Sequence, residues 1–353
     1  MGGDGVMAKL GEVATYINGY AFKPQDWSDK GVPIIRIQDL TGNSYQANRY
    51  NGEYASKYEV NDGDVLISWS ASLGVYIWHG EKAVLNQHIF KVVFDKERIS
   101  KDFFVHQVGL ILENAASDAH GATMKHLTKP VFDALPFYLP PYEKQCEIAE
   151  VLDKVTSLIS LRKQQLAKLD KLVKARFVEL FHGQGYPVLK WKDVFDTTTG
   201  KLDSNAAVEN GIYPFFTCSK EVLRIDKYAF EQKALLLAGN NAAGKYDVKY
   251  YNGKFNAYQR TYVLGLKENW SYRVFQYQLE DKLEYLQQQS LGGLTKYLTL
   301  KILGELSFII PPKDKQDEFD AFVERVDQQK QTVQQSLEKL ELMKKALMQE
   351  YFG

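Results

Sequence analysis

The chain has only two cysteines among its 353 residues, and it contains no run of about 18 apolar residues. Cys146 and Cys218 lie far apart and outside any CxxC pairing, which argues against a disulfide framework and a zinc site and fits a reducing cytoplasm. Without a long apolar segment, no membrane span is expected. The short, Gly-rich stretch from Met1 to Leu10 also lacks the apolar region of a signal peptide, so we expect a cytoplasmic protein.

Net charge is lacking as well, because 44 Lys and Arg residues balance 44 Asp and Glu residues. The segment 8–134 carries 13 basic and 15 acidic residues, and the segment 187–304 carries 16 basic and 12 acidic residues. A protein that binds the phosphate backbone of nucleic acid is normally more basic than either segment. If the chain binds DNA, we therefore expect a partner to supply part of the electrostatic attraction.

What the sequence does contain is an internal duplication. The stretch Leu135–Gln145 (LPFYLPPYEKQ) reappears as Leu306–Gln316 (LSFIIPPKDKQ), at a constant offset in numbering of 306 − 135 = 171. The offset persists without a gap through the following helix-like region, and 16 of the 47 aligned positions are identical. Gly121–Thr128 matches Gly292–Thr299 at the same offset, so the duplication is not a chance match.

Each copy has the same layout, and the hydrophobic content of 45% suits two folded domains. Short runs rich in β-branched and aromatic residues predict strands, and a helical pattern follows at about 101–116 and 272–289. Turns are predicted at Asn61-Asp-Gly63 and Tyr251-Asn-Gly253. The strand-like runs are Val32–Ile37, Val65–Trp69, Ile89–Phe94, Ala234–Leu237 and Thr261–Leu264. The predicted segments are 8–134 and 187–304 for two variable domains, and 135–186 and 305–353 for two long helical regions.

The two long helices are predicted from their apolar spacing. Pro140 and Pro141 suit a helix start, and apolar residues then recur in steps of three and four, which is a heptad seam. Each helix should span about 38 residues, or on the order of 57 Å. A helix of that length with one apolar stripe needs a partner, so we expect an antiparallel pair within the chain, with the two domains at opposite ends. The alternative is that these helices dimerise the protein.

Motifs that resemble enzyme sites are incomplete. Gly239–Tyr246 (GNNAAGKY) fits the GxxxxGK start of a phosphate-binding loop, but Tyr246 stands where Ser or Thr would hold Mg²⁺. Leu139–Tyr142 (LPPY) resembles the Pro-Pro-aromatic motif of DNA amino-methyltransferases, but Leu139 cannot accept a hydrogen bond from a target amine. These failures oppose a P-loop ATPase and a stand-alone methyltransferase.

Metal-binding and catalytic patterns were not found either. The six histidines show no HxH, HExxH or His–Cys spacing, so we expect no metal site and no directly bound cofactor. These histidines are His79, His88, His106, His120, His126 and His182.

The variable segments carry side chains of the types that read base edges in the DNA major groove, although any single one of them is equally well explained as an ordinary polar loop residue. In the first segment the candidates are Arg36, Gln38, Ser68, Trp69, Ser70, Ser72, Asn86, Gln87 and His88. In the second they are Thr217, Ser219, Lys220, Asn240, Asn241, Lys245, Tyr246, Gln259 and Arg260. Lys125 and Lys296 share a Gly-x-x-x-Lys-x-Leu-Thr setting, and we expect them to contact phosphate. Shared glycines (Gly74, Gly244) and tyrosines (Tyr76, Tyr246) suggest that the two segments have related loops.

The sequence resembles the specificity subunit of Type I restriction–modification systems. The resemblance rests on Leu10–Ala14, Asn18–Phe22, Ile34–Asp39 and Leu85–Ile89, and on the Pro-Pro-x-x-x-Gln turn that occurs twice. It covers nearly the whole chain.

This resemblance implies an α/β (α+β) fold with two target recognition domains of curved sheets, separated by an antiparallel coiled-coil pair. Each domain would read one half of a split site in double-stranded DNA, and the helices would set the spacer. The chain would be non-catalytic and would assemble with two modification subunits that methylate adenine, which use S-adenosylmethionine. Restriction subunits, which use ATP and Mg²⁺, would join them in some assemblies.

Two alternatives stay open at this point. Similar specificity subunits occur in restriction systems that cut on both sides of their site. A coiled-coil scaffold with protein-binding heads would also have long helices, but its heads should be alike. Here the heads differ far more than the helices, which favours the reading of two unlike half-sites.

Overall fold

A computed structural model describes residues 5–43, 48–118, 128–241 and 244–353. The chain divides into two compact units, which we call the first unit (Met1–Arg162 with Ser336–Gly353) and the second unit (Lys163–Gln335). Among the helices of the described residues, none has the length and apolarity that a membrane crossing requires.

Within the described residues, the first unit contains ten strands, five α-helices and the end of a further long helix. Its fifth helix continues into the second unit. The strands are β1 (Val6–Lys9), β2 (Thr15–Asn18), β3 (Val32–Ile35), β4 (Arg49–Tyr50), β5 (Glu59–Val60), β6 (Val65–Ser68), β7 (Gly74–Ile77), β8 (Ala83–Leu85), β9 (Ile89–Val93) and β10 (Pro136–Leu139). The helices are α1 (Leu10–Val13), α2 (Ile37–Leu40), α3 (Lys101–Asp118), α4 (Lys129–Asp133) and α5 (Tyr142–Phe181).

Two four-stranded sheets of the first unit share a core around β6. Their orders are β2-β9-β6-β7 and β4-β3-β8-β5, and β3 and β8 are the parallel pair. Successive side chains of a strand point to opposite faces. Val65 and Ile67 therefore enter the core that packs on α3 and α5, whereas Leu66 enters a second core with Ile35 and Leu85.

The second unit repeats this plan in one larger sheet. Its strands are β11 (Val188–Lys190), β12 (Phe195–Thr199), β13 (Tyr213–Phe216), β14 (Leu223–Ile225), β15 (Phe230–Ala238), β16 (Asn240–Asn241), β17 (Val248–Ala257), β18 (Thr261–Leu266), β19 (Lys296–Tyr297) and β20 (Ser307–Ile309). Its helices are α6 (Trp191–Val194), α7 (Tyr272–Glu280), α8 (Leu283–Gln289), α9 (Leu300–Gly304) and α10 (Lys313–Phe352), of which α10 continues into the first unit. The main sheet has the order β12-β18-β15-β17-β13-β14, with β13 and β17 parallel.

The duplication extends to individual buried hydrogen bonds. Gln145 accepts a hydrogen bond from Ser100 N (3.0 Å) and donates one to the Pro140 carbonyl (2.9 Å). The equivalent residue, Gln316, accepts from Ser271 N at 2.7 Å and donates to the carbonyl of Pro311 at 2.8 Å. Both amides are almost fully buried, so each holds the start of a long helix against the preceding strand and helix.

A second buried glutamine in each unit joins helix α3 or α7 to the strand β10 or β20. Gln278 of α7 donates to the Ile309 carbonyl (2.9 Å) and accepts from Ile309 N (2.8 Å). Gln107 of α3, with its amide in the orientation that satisfies both groups, makes the same pair of bonds to Tyr138. Neither glutamine stood out in the sequence, because each lies in the less similar part of the repeat.

The long helices are confirmed as an antiparallel pair within the chain. Each has 40 residues. In the first unit, Leu152 near the start of α5 belongs to a core on which Leu347 and Phe352, near the end of α10, pack. In the second unit, Phe177 near the end of α5 packs with Phe319 near the start of α10, with their rings 5.6 Å apart.

Some predicted element bounds need correction. The pattern at 272–289 forms two helices, α7 and α8, rather than one. The turn predicted at Tyr251-Asn-Gly253 is wrong, because these residues lie inside β17, where Gly253 pairs with Gln232 of β15. The long ladder with β15 overrides the local turn signal of Asn-Gly. The expectation of a mixed helix and sheet fold with an internal repeat is confirmed.

Candidate nucleic-acid interface

The predicted residues of the first unit that the structure describes lie at or just after strand ends, which meet at one end of its sheets. Asn86 N, after β8, donates to the Ile35 carbonyl at the end of β3 (3.1 Å). Trp69 N, after β6, donates to the carbonyl of His88 (3.2 Å). Parallel strands such as β3 and β8 bring their carboxyl ends to the same edge, and the antiparallel pair of β6 and β9 brings the end of one to the start of the other. We call these residues, Arg36–Gln38, Ser68–Ser72 and Asn86–His88, the first loop cluster.

Trp69 and His88 form the rigid centre of the first loop cluster. The Trp69 ring stacks on Phe90 at 5.6 Å, and its Nε1 donates to Asn18 Oδ1 at 3.1 Å. The His88 ring meets the Trp69 ring edge-on at 4.9 Å. His88 has a φ of +72°, a conformation that few residues other than glycine adopt. The surrounding hydrogen bonds and ring contacts hold His88 in this conformation.

Arg36 is held by its own helix. Its backbone N–H donates to Asp39 Oδ2 at 2.8 Å, and its Nε lies 3.7 Å from the same oxygen. The guanidinium also lies 5.8 Å from the centre of the Trp27 ring, and only 15% of the side chain is exposed. Contact with a base would therefore require Arg36 to exchange part of its pairing with Asp39.

The predicted residues of the second unit meet in the same way. Tyr258 N, after β17, donates to the Phe216 carbonyl at the end of β13 (2.9 Å). Cys218 Sγ lies 3.4 Å from the carbonyl oxygen of Arg260, to which Gly239 N also donates at 2.8 Å. The loops after β13, β15 and β17 are therefore neighbours. We call the residues Thr217–Lys220, Gly239–Tyr246 without 242–243, and Tyr258–Arg260 the second loop cluster.

Lys296 joins the second loop cluster through a short two-stranded ladder. Asn240 pairs with Tyr297 and Asn241 pairs with Lys296 in the antiparallel β16–β19 sheet. Leu298 N also donates to the Gly239 carbonyl at 2.8 Å. The structure therefore brings together a lysine and two asparagines that lie far apart in the sequence.

Matching backbone hydrogen bonds show which residues of the two clusters are equivalent. Gln87 N donates to the Tyr20 carbonyl (2.8 Å), and Gln259 N donates to the Leu202 carbonyl (2.9 Å). Each bond ties a loop residue after a strand (β8 or β17) to the chain leaving another strand (β2 or β12). Gln87 and Gln259 therefore occupy the same place in the two clusters.

The next residues also correspond. Trp69 N donates to the His88 carbonyl in the first unit, as Gly239 N donates to the Arg260 carbonyl in the second. The first loop cluster thus presents Gln-His where the second presents Gln-Arg. A shared backbone frame with different side chains is what two readers of unlike sequences require.

The correspondence that the sequence suggested between Gly74 and Gly244 is wrong. Gly74 lies in β7, where it pairs with Ser68. Gly244 lies in a loop before β17 with a φ of +66°, close to the side chains of Gln287 and Lys296. The apparent match is therefore a chance spacing of glycines.

The accessibility of the predicted residues varies. Exposed are Ser72, Ser219, Lys220, Lys245, Gln259 and Arg260. Partly exposed are Arg36, Gln38, Trp69, Asn86, Gln87, His88, Asn240, Asn241 and Lys296. Buried are Ser68, Ser70, Thr217 and Tyr246, so these four side chains support the loops and do not face solvent. Lys125 lies outside the described residues.

Tyr246 belongs to the core of the second unit, together with Val248 and Phe275. Burial raises the pKa of its hydroxyl, so the phenol stays protonated at neutral pH. The segment Gly239–Tyr246 leads from β15 into β17, whereas a phosphate-binding P-loop opens a helix. In this fold the GxxxxGK match therefore lacks the helix N-terminus that would bind phosphate.

Within the described part of the chain, no three His, Cys, Asp or Glu side chains group closely enough to hold a metal ion.

Tyr20 was not among the site residues predicted from the sequence, although it lies beside Gln87 and is 46% exposed. The Asn18–Phe22 motif was the available signal.

The model of the family described as Type I restriction modification DNA specificity domain matches residues 4–171 and 184–342. The chain is 33% identical over 170 residues to the Type I restriction enzyme EcoDI specificity subunit of Escherichia coli (45% of this chain, 37% of that protein). It is 30% identical over 168 residues to the EcoBI specificity subunit of the same organism (47% and 35%). The matched stretches thus span little more than a third of these relatives.

Two solved structures share the fold. The Type I restriction–modification S subunit from M. genitalium superimposes with a TM-score of 0.63 at 14% identity, covering 99% of this chain and 96% of that one. A chain from work on complex assembly and conformational transition of the type I R-M system gives 0.58 at 15% identity, with 99% and 97% coverage. Because the family model covers most of its residues, this chain belongs to the family of Type I restriction modification DNA specificity domains.

Proposed function

We propose that this chain is the DNA-reading subunit of a Type I restriction–modification complex and recognises a bipartite site. The observation that carries the proposal is the pair of loop clusters with equivalent backbones and different side chains. Gln87-His88 and Gln259-Arg260 are equivalently placed, and amide, imidazole and guanidinium groups all bind base edges in the major groove. Each cluster would read one half-site, within the recognition segments 8–134 and 187–304.

The exposed charges suggest that the two units contribute unequally to the attraction to DNA. Lys220, Lys245 and Arg260 are exposed in the second loop cluster. In the first, Arg36 is the cation, and it is paired with Asp39. Because cations that neutralise phosphates supply most of the salt-dependent affinity, we expect the second unit to contribute more of the attraction to DNA.

The chain itself would perform no chemistry. We propose that two modification subunits carry S-adenosylmethionine and methylate adenine within the recognised site, and that restriction subunits with ATP and Mg²⁺ add cleavage. Family membership supports this assignment, as does the fold shared with a chain from a type I R-M assembly. The long helices would set the length of the unread gap between the two half-sites.

The experiment is to express the chain with the modification subunit encoded beside it in a host that lacks DNA methylation. Adenine methylation is then mapped across the host genome. A split motif, with two short specified halves around a constant gap, is expected. Methylation of one continuous motif, or a stable complex that methylates nothing, would contradict the proposal and favour a scaffold.

A further inference from the structure

Tyr20 is an exposed aromatic residue beside Gln87 of the first loop cluster. Its N–H donates to the Leu85 carbonyl at the end of β8 (2.8 Å), and its carbonyl accepts from Gln87 N (2.8 Å). These two bonds place Tyr20 directly beside the residues that we propose to read bases. Tyr20 is 46% exposed, so part of its side chain faces solvent there.

The position of this ring is held by its neighbours. Phe22 meets it edge-on at 4.9 Å and Tyr58 at 5.6 Å. Gly19 lies so close to Asn86 that an added Cβ would stand 1.9 Å from the Asn86 carbonyl oxygen, which fixes the path of the chain. A ring ordered before binding loses little further conformational entropy when a ligand covers it.

The second unit has an apolar residue, Leu202, in the place that corresponds to Tyr20. Leu202, which is partly exposed, accepts from Gln259 N at 2.9 Å, as Tyr20 accepts from Gln87 N. Gly200 lies two residues before it, with Lys201 between them, and a Cβ at Gly200 would stand 1.8 Å from the carbonyl oxygen of Ala257. In both units, a glycine that permits close approach lies one or two residues before an apolar side chain next to the proposed reading glutamine.

We propose that Tyr20 and Leu202 each recognise thymine through its 5-methyl group. Leu202 has no polar atom in its side chain, so the property that the two residues share is apolar surface. The one apolar group that a base edge presents in the major groove is the thymine methyl. Thymine would lie next to the base pair that Gln87 or Gln259 contacts. This inference rests on the proposed function, since it assumes that the loop clusters read DNA.

The test removes single methyl groups from the DNA. Once the methylated motif is mapped, duplexes are made in which each thymine of the two half-sites is replaced in turn by deoxyuridine. Affinity is measured with the complex of this chain and its modification subunits. One position in each half-site should show a loss of about fourfold, which corresponds to roughly 0.8 kcal/mol for one buried methyl.

The variants assign each methyl to its residue. Tyr20→Ala should abolish the sensitivity to deoxyuridine in one half-site alone, and Leu202→Ala should abolish it in the other. Tyr20→Phe keeps the ring and should keep the sensitivity. Tyr228→Ala is the matched control, because Tyr228 is 42% exposed but precedes β15, at the opposite end of that strand from the loop cluster.

The outcomes separate this inference from the proposed function. Half-sites without thymine, a wild-type complex indifferent to deoxyuridine, or a sensitivity that persists in Tyr20→Ala would overturn the methyl reading while leaving the bipartite reading intact. The absence of any split motif would instead overturn the proposed function. The deoxyuridine series on the wild-type complex decides the matter even if an alanine variant fails to fold.

Discussion

At the scale of single residues, two buried amides hold equivalent parts of the two units together. Gln145 and Gln316 each satisfy one N–H and one carbonyl that would otherwise be buried without these partners. An unsatisfied buried polar group costs about 1–3 kcal/mol. Two glutamines at equivalent positions of the repeat therefore have the same structural task.

Replacing Gln145 with alanine should lower the free energy of unfolding by about 2 kcal/mol, because Ser100 N and the Pro140 carbonyl lose their partner. Gln316→Ala should have an effect of similar size in the second unit. Thermal melting should report a decrease of roughly 4–8 °C for each variant. Gln331→Ala on the exposed face of α10 is the control and should change stability by less than about 0.5 kcal/mol. Equal melting of Gln145→Ala and Gln331→Ala would show that the buried bonds contribute little.

Among the loop residues, Arg260 offers the sharpest test of base reading. Its side chain is exposed, while its carbonyl is tied down by Gly239 N. Arg260→Ala should lower methylation of the recognised site by roughly 5- to 150-fold, which is about 1–3 kcal/mol, and relax the sequence at one position of one half-site. Lys267→Ala removes an equal charge just beyond the opposite end of β18 and should leave the motif unchanged. Methylome mapping of both variants makes the comparison; an Arg260→Ala complex with an unaltered motif would exclude Arg260 as a reader.

At the scale of elements, the strands and the long helices have changed to very different extents since the duplication. The helices keep their length of 40 residues and their heptad seam, and Val173, Val323 and Val326 are buried along it. The strands keep their pairing order, but β15 and β17 are much longer than β6, β7 and β8. Packing along a seam tolerates few changes of spacing, whereas loops at strand ends tolerate insertions at small cost in free energy.

If helix length sets the gap in the DNA site, inserting one heptad into each long helix should lengthen that gap. The insertions follow Lys168 in α5 and Lys330 in α10, which lie opposite each other because Lys330 pairs with Asp170 at 2.6 Å. One heptad adds about 10.5 Å, which is the length of about three base pairs.

The control for the heptad experiment is a Gly/Ser insertion of the same length at Gly183–Gly185, just after α5 ends, which should leave the gap unchanged. Methylome mapping gives the gap in each case. A doubly lengthened variant that methylates the original motif with the original gap would exclude the helices as the ruler.

At the scale of the whole molecule, the basic and acidic residues balance, and this balance affects how tightly the chain can bind DNA. Equal numbers of basic and acidic residues leave the chain without a net attraction for DNA. Ion pairs also occupy cations of the sheets, such as Lys249 with Asp247 beside the second loop cluster and Lys91 with Asp64 at the other end of β6 from the first. If the two loop clusters read bases as we propose, the chain has groups for discrimination but few for general affinity.

The chain alone should consequently bind DNA weakly, and the complex with modification subunits should bind its site at least about 100-fold more tightly at physiological salt. Fluorescence anisotropy over a range of salt concentrations gives both affinities and their salt slopes. The slope for the complex should be clearly steeper, because the partner supplies additional phosphate contacts. Equal slopes for the chain and the complex would show that this chain already makes the phosphate contacts.

Much of the molecule followed from the sequence alone. The constant offset between the two copies, the heptad seams and the Pro-Pro turns predicted the repeat and the paired helices, because helical packing repeats every few residues and is visible in a local pattern. The family resemblance was also visible in the sequence, because each of its motifs is a short continuous stretch of residues. The predicted loops also proved to be neighbours within each unit, since most candidates followed strand-like runs.

Only the tertiary structure decided which loop residues correspond and which are accessible. Gln87 and Gln259 differ in number by 259 − 87 = 172, one more than the offset of the helical regions, and loops of unequal length hide the match from alignment. The burial of Tyr246 and the exposure of Tyr20 depend on pairing between strands far apart in the chain. Local residue patterns determine helices and turns, but the meeting of distant strand ends is set by the sheet, and the proposed reading site exists only there.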